Sequence, residues 1–289
     1  MNEAVHLNLD DAWEEQPLGM PCVDAREWGP RLRYFAPAKL VEVFSAEVLA
    51  ALPPFVVYGS GDFHYLAACL AGRVREALTV VSFDNHPDWD IRPPRWACGG
   101  WVNRALDNPF VQRVAVWGCG NFELNWPSRL FGNRRAICSG RLEVHAWAER
   151  FGKGVRRRFD CMTRENWRER FSRFVQRLAG SAMYVTVDLD CLRSEEAATN
   201  WENGLFTAED VAWALRKLRE SCRVVGGDLC GAYSRPRFAR WTQRLASGWD
   251  HPKIREVSAE IRIERNLKVL RTIWSEMVSL SFPEIVASE

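Results

Sequence analysis

The stretch Ser82–Asp90, SFDNHPDWD, follows the apolar run Leu78-Thr79-Val80-Val81. A buried-looking strand that ends in Asp84, His86, Asp88 and Asp90 gathers ionisable side chains. These repel one another and lose solvation unless they share a partner of opposite charge. On extended backbone, residues i, i+2 and i+4 face the same way, so Asp84, His86 and Asp88 can address one point. A divalent cation is the expected partner.

Working outward, the same pattern recurs. Phe55–Tyr58 runs into Gly59-Ser60-Gly61-Asp62-Phe63-His64, Met183–Val187 into Asp188-Leu189-Asp190, and Cys222–Gly226 into Gly227-Asp228. Further strands are expected at Arg113–Trp117 and Leu142–His145. Helices are expected over Lys39–Ala51, Tyr65–Glu76, Arg164–Leu178, Ala208–Ser221 and Pro252–Leu280. Strands apolar on both faces that alternate with helices imply a parallel sheet covered on both sides. Ligands of such sheets bind beyond the carboxyl ends of the strands, where these acids fall. The expectation is one α/β domain over residues 1–289, a three-layer α/β/α sandwich with a mainly parallel central sheet. The long connections 120–135 and 192–204 are expected to carry function.

His64, Asp84, His86, Asp88, Asp188 and Asp190 offer carboxylates and imidazoles in excess of what one tetrahedral zinc takes. Oxygen-rich mixed coordination suits Mn²⁺, with Zn²⁺ or another divalent ion as an alternative. Two ions bridged by a carboxylate would share these ligands. His6, His145 and His251 lack such neighbours and are read as structural or surface histidines.

The motifs GSGDFH, SFDNHPD and VTVDLDCL resemble, in the same order, the metal-binding motifs of the arginase–agmatinase–formimidoylglutamase (ureohydrolase) family. The resemblance runs from about Pro54 to Tyr233. It implies an arginase-like fold and a binuclear manganese centre. One metal would take His64, Asp84, Asp88 and Asp188; the other would take Asp84, His86, Asp188 and Asp190. It also implies hydrolysis of a non-peptide C–N bond at a guanidino, formimino or amide carbon by a metal-bridging hydroxide. Asp88 or Asp190 would orient the hydroxide and relay its proton, and Asp228 would act behind them or meet a cationic substrate. Departures fall on substrate recognition. Gly231 stands where the family's substrate glutamate is expected, and Cys98–Asn103 contains no histidine where several members carry one. The insert after the second motif offers Arg92 and Arg95 for a substrate carboxylate and Trp96 or Trp101 as a stacking wall, with Asn85 as a hydrogen-bonding residue. Two other readings remain: a single-zinc deacetylase-like amidohydrolase, and an accessory metal-binding protein on the same scaffold.

Composition sets the outer bounds. The chain has 289 residues and a formal net charge of +2, which points to neither nucleic acid nor an anionic membrane as partner. A small-molecule substrate is the expected partner, and a homo-oligomer is compatible with the resemblance. Nine cysteines without a C-x-x-C pair read as free thiols in a reducing compartment. With no apolar h-region in MNEAVHLNLDDAWEEQ, no secretory signal is expected, and the expected location is the cytoplasm.

Overall fold

A computed structural model describes residues 3–13, 17–252 and 258–278. Its strands are β1 (Ala4–Asn8), β2 (Cys22–Asp24), β3 (Phe55–Tyr58), β4 (Leu78–Phe83), β5 (Val111–Cys119), β6 (Leu142–Ala146), β7 (Ala182–Asp188) and β8 (Arg223–Cys230). All pair in parallel in one eight-stranded sheet of order β2-β1-β3-β8-β7-β4-β5-β6. This is the sandwich expected from the alternating pattern.

Burial explains why these segments form strands. Every residue of β3, β4 and β7 is buried, and alternate residues feed opposite cores. Val56, Tyr58 and Val80 join Val41, Phe44, Leu66 and Val102 on one face. Val57, Val81 and Phe83 join Phe171, Val211, Leu215 and Ile273 on the other. Helices Ala38–Glu47, Leu66–Ala71 and Trp101–Asp107 thus cover the first face, and Trp167–Arg177, Ala208–Ser221 and Ala259–Val278 cover the second. Helix Ala208–Ser221 begins on a Thr207 cap, a reciprocal box in which Thr207 Oγ1 accepts the Asp210 N–H and Asp210 Oδ2 accepts the Thr207 N–H.

Differences from the sequence reading are local. β1 and β2 were not anticipated; the acidic neighbours of Ala4–Asn8 mask a strand whose five residues are all buried. The helix expected over Tyr65–Glu76 is shorter, Leu66–Ala71, because Gly72 ends it. Of the last helix, expected over Pro252–Leu280, Ala259–Val278 is helical; residues 253–257 and 279–280 lie outside the described residues.

The strand order positions the site. The chain leaves β3 and enters β4 three places away, and β7 and β8 later fill the two positions between them. The carboxyl ends of β3, β8, β7 and β4 therefore stand side by side at the centre of the sheet, carrying the segments that begin at Gly59, Gly231, Leu189 and Asp84.

Candidate metal centre

Asp84, His86, Asp88, Asp188, Asp190 and His64 meet above these strand ends, and each is at most 7% exposed. They converge by turns rather than by straight extension. Asp84 Oδ1 accepts the His86 N–H at 2.7 Å, and Asp188 Oδ1 accepts the Asp190 N–H at 3.0 Å. Each aspartate thus folds the chain back on its own side chain. Asp88 then takes a left-handed backbone (φ 45), which an extended D-x-H-x-D run does not contain. A 3-10 turn, Gly61–Phe63, buries Phe63 and delivers His64 inward.

His64 Nδ1 stands 3.1 Å from Asp84 Oδ2, 3.4 Å from Asp88 Oδ2 and 3.5 Å from Asp188 Oδ2. His86 Nδ1 stands 2.8 Å from Asp190 Oδ2 and 3.5 Å from Asp84 Oδ1. Each oxygen of Asp84 therefore faces a different imidazole. Two ligand-competent triads result, His64–Asp84–Asp88 and Asp84–His86–Asp190, and they share Asp84. His64 Nδ1 and Asp84 Oδ2 are buried and close, yet neither makes an aligned hydrogen bond. Buried polar atoms without partners are costly, and a cation at that point satisfies both. The donor set fits a divalent metal.

Electrostatics agree. Burial pushes the carboxyls of Asp88, Asp188 and Asp190 above the usual carboxylate range, and neighbouring aspartates push them further. Burial opposes charge on His64 and His86, but the surrounding carboxylates outweigh it and raise both well above the ordinary imidazole value. Without a metal, the cluster holds protons in place of a cation.

A set of hydroxyls fixes His64. Asp228, fully buried, accepts from Tyr58 at 3.0 Å, Thr186 at 2.7 Å and Tyr184 at 2.7 Å. Thr186 Oγ1, having donated to Asp228, is left to accept from His64 Nε2 at 2.9 Å. That bond places the proton on Nε2 and leaves the Nδ1 lone pair turned to the aspartates. Of the roles expected for Asp228, supporting a ligand histidine is the one the geometry favours: its oxygens are occupied by hydroxyls rather than open to a substrate, and it positions His64 through Thr186.

The residues expected to meet substrate are placed differently from one another. Arg92 borders the pocket, but Asp90 binds its guanidinium (Nε–Oδ2 2.9 Å), and it stacks on Phe131 at 3.9 Å. Arg95 is exposed and Trp96 packs edge-on against Tyr65; neither lines the pocket. Trp101 is fully buried against His64, with ring centroids 4.8 Å apart, as a wall of the metal centre rather than of a substrate site. Asn85 Nδ2 donates to the Glu202 carbonyl at 2.8 Å, which leaves Oδ1 without a hydrogen-bond partner. His251 bonds Asp62 at 2.8 Å and packs on Trp201 at 4.2 Å, a structural role in keeping with its reading.

The cavity at the centre is lined by Gly61, Asn121, Glu123, Trp201 and Glu202 as well as the aspartates. It opens into a vestibule of about 400 Å³ through Cys98, Gly99, Phe122, Glu123 and Asp250, which line both. Tyr34, Phe35, Trp89, Phe131 and Trp249 wall the vestibule. Sequence reasoning named the connections 120–135 and 192–204 but not Glu123, Glu202 or Asp250. Glu123 lies in the 3-10 turn Phe122–Leu124, Glu202 in a loop and Asp250 at the end of helix Trp241–Asp250, and isolated acids of this kind carry no motif signal.

No family model matches the chain. A protein of Thermotoga maritima described only as uncharacterized is 23% identical over 203 residues, which is 69% of this chain. The match spans 66% of that protein's length. Solved structures match along almost the whole chain. The proclavaminate amidino hydrolase of Streptomyces clavuligerus superimposes with a TM-score of 0.57 at 14% identity, covering 95% of this chain and 91% of its own. The arginase of Bacillus cereus gives 0.56 at 11% identity, with 97% and 99% covered. The formimidoylglutamase of Bacillus subtilis gives 0.53 at 13%, with 93% and 85% covered. The fold is that of the ureohydrolases. On this ureohydrolase fold, the six His and Asp side chains occupy the carboxyl edge of the sheet, while Gly231 closes β8. A Cβ at Gly231 would lie 2.1 Å from Asp188 Oδ1, and its backbone is left-handed (φ +99). No glutamate fits there.

Proposed function

We propose that the chain is a divergent ureohydrolase-type enzyme that holds two divalent cations, Mn²⁺ by its oxygen and imidazole donors, and hydrolyses a non-peptide C–N bond of a small cationic substrate. The observation that carries this reading is the pair of buried triads sharing Asp84, with partnerless His64 Nδ1 and Asp84 Oδ2 turned to one point. Cations bound there lower the pKa of water toward neutrality and supply a nucleophile for a planar guanidino, formimino or amide carbon. Asp84 and Asp188, which face both imidazoles or their neighbours, would bridge. Asp88 and Asp190, each within one triad only, would hold the nucleophile and pass its proton.

Substrate charge follows from the lining. Glu123, Glu202 and Asp250 border the cavity, and Arg92, the cation of the vestibule lining, is already neutralised by Asp90. Phe122 and the widely exposed Trp249 rim the entrance and suit a cation–π contact. An acidic substrate end, favoured by an unpaired Arg92 in sequence, is disfavoured here. Among the described residues no helix is long and apolar enough to cross a membrane. Nine free thiols support a reducing location such as the cytoplasm.

The test is a metal-loaded assay on guanidino, formimino and amide compounds, with urea, ammonia and formamide quantified, beside metal analysis. Asp84→Ala is expected to lose both metals and all turnover, and His64→Ala to lose one metal preferentially. Full metal content in Asp84→Ala removes the bridge. Full loading with no turnover leaves the accessory-protein reading, and one zinc per chain leaves the deacetylase-like one.

A further inference from the structure

Cys230 ends β8 beside Asp188, its registered neighbour on β7. Its thiol is fully buried and donates to Asp188 Oδ2 at 3.5 Å. Ligand-type atoms of His64, Asp188 and Cys230 all lie within 4.8 Å of one another, a third group beside the two triads. Independently, His64 Nδ1 and Asp84 Oδ2 point into this region from buried side chains without partners. The spacing is that of a coordination shell. An oxygen and a sulfur about 2.1 and 2.3 Å from one ion, at a tetrahedral angle, stand about 3.6 Å apart.

We propose that Cys230 is a sulfur ligand of the cation held by His64 and Asp188, and that it turns this position toward a borderline-soft ion such as zinc, leaving manganese to the Asp84–His86–Asp190 side. The proposal rests on the reading that cations occupy this centre. As the sulfur–metal bond forms, the S–H bond breaks and its proton passes to solvent, freeing Asp188 Oδ2 to ligate. Thiolate selects zinc and similar ions, whereas carboxylate and water suit manganese. A mixed-metal centre follows from one side chain.

Cobalt(II) is the probe. Purified full-length protein loaded with Co²⁺ should show a thiolate-to-cobalt charge-transfer band equivalent to one sulfur per chain. Cys230→Ser and Cys230→Ala should lose that band and keep the cobalt of the other position. In a zinc–manganese competition, Cys230→Ser should lower the preference for zinc about 10-fold. The unaltered protein decides the matter even if a variant folds poorly. Bound cobalt without a thiolate band overturns the sulfur ligand and leaves the metal centre standing, as does a band that persists in Cys230→Ala. No cobalt binding at all overturns both.

Discussion

Gly231 shows how one backbone position constrains the centre. Its left-handed backbone and its contact with Asp188 leave no room for any side chain. Gly231→Ala should cost about 1–3 kcal/mol in urea denaturation, from backbone strain. Metal content should fall as well, because Asp188 must move. An unchanged metal content would show that the strand end can shift without the ligand. The proposed preference for a cationic substrate is tested at Glu123. Burial raises Glu123 to about 8 against the pull of His86, so it becomes an anion as pH rises toward that value. Bound metals move the midpoint down. For a cationic substrate, kcat/KM should climb with pH through this ionisation. Glu123→Gln should flatten the climb and raise KM roughly 10-fold, the loss of one charged hydrogen bond. Its metal content should not change. A Glu123→Gln pH profile that keeps the climb would assign it to another group.

Among the elements, the turn after β3 is the one most dependent on distant chain. Arg33, 1% exposed, binds Asp62 at 2.6 Å, Asp10 at 3.2 Å, Ser234 at 2.9 Å and Ser60 at 3.0 Å. Burial would raise Asp62, but Arg33 and His251 outweigh it and hold it at about 2. This network clamps Gly59–His64 to the N-terminal region and to the segment after β8, and so sets the depth to which His64 reaches. Removing the cation strands Asp62 and Asp10 in the interior. Arg33→Met should therefore cost about 3–5 kcal/mol in chemical denaturation. A loss below 1 kcal/mol would mean that water replaces the guanidinium.

Across the whole molecule, the metal centre couples to folding through protons. Asp88, Asp188 and Asp190 have folded values above their unfolded ones, so their stabilisation is present at low pH and lost as pH rises through the folded values. His64 and His86, also raised, lose theirs in the same direction. Asp84 is depressed and opposes them, losing its contribution as pH falls. The raised groups outnumber it. The metal-free protein should therefore weaken as pH rises from about 4 past neutrality, and a divalent metal should raise Tm more at about pH 8 than at about pH 5.5. Thermal melts with and without metal at both pH values check this; equal increments would detach the cluster from metal binding.

The sequence by itself determined the parallel sandwich and the six His and Asp side chains at its edge. Both are written locally, in strands buried on two faces and in acids spaced by two immediately after them. Only the tertiary structure decided how they are used. Asp84 and Asp188 turn their segments by accepting backbone N–H groups, Asp88 enters through a left-handed residue, and Asp228 supports His64 through Thr186. It also decided that Arg92 is spent on Asp90, and that Cys230, Glu123, Glu202 and Asp250 surround the centre. These residues come from segments far apart in the chain. They meet because β7 and β8 insert between β3 and β4, and spacing along the chain carries no record of that insertion.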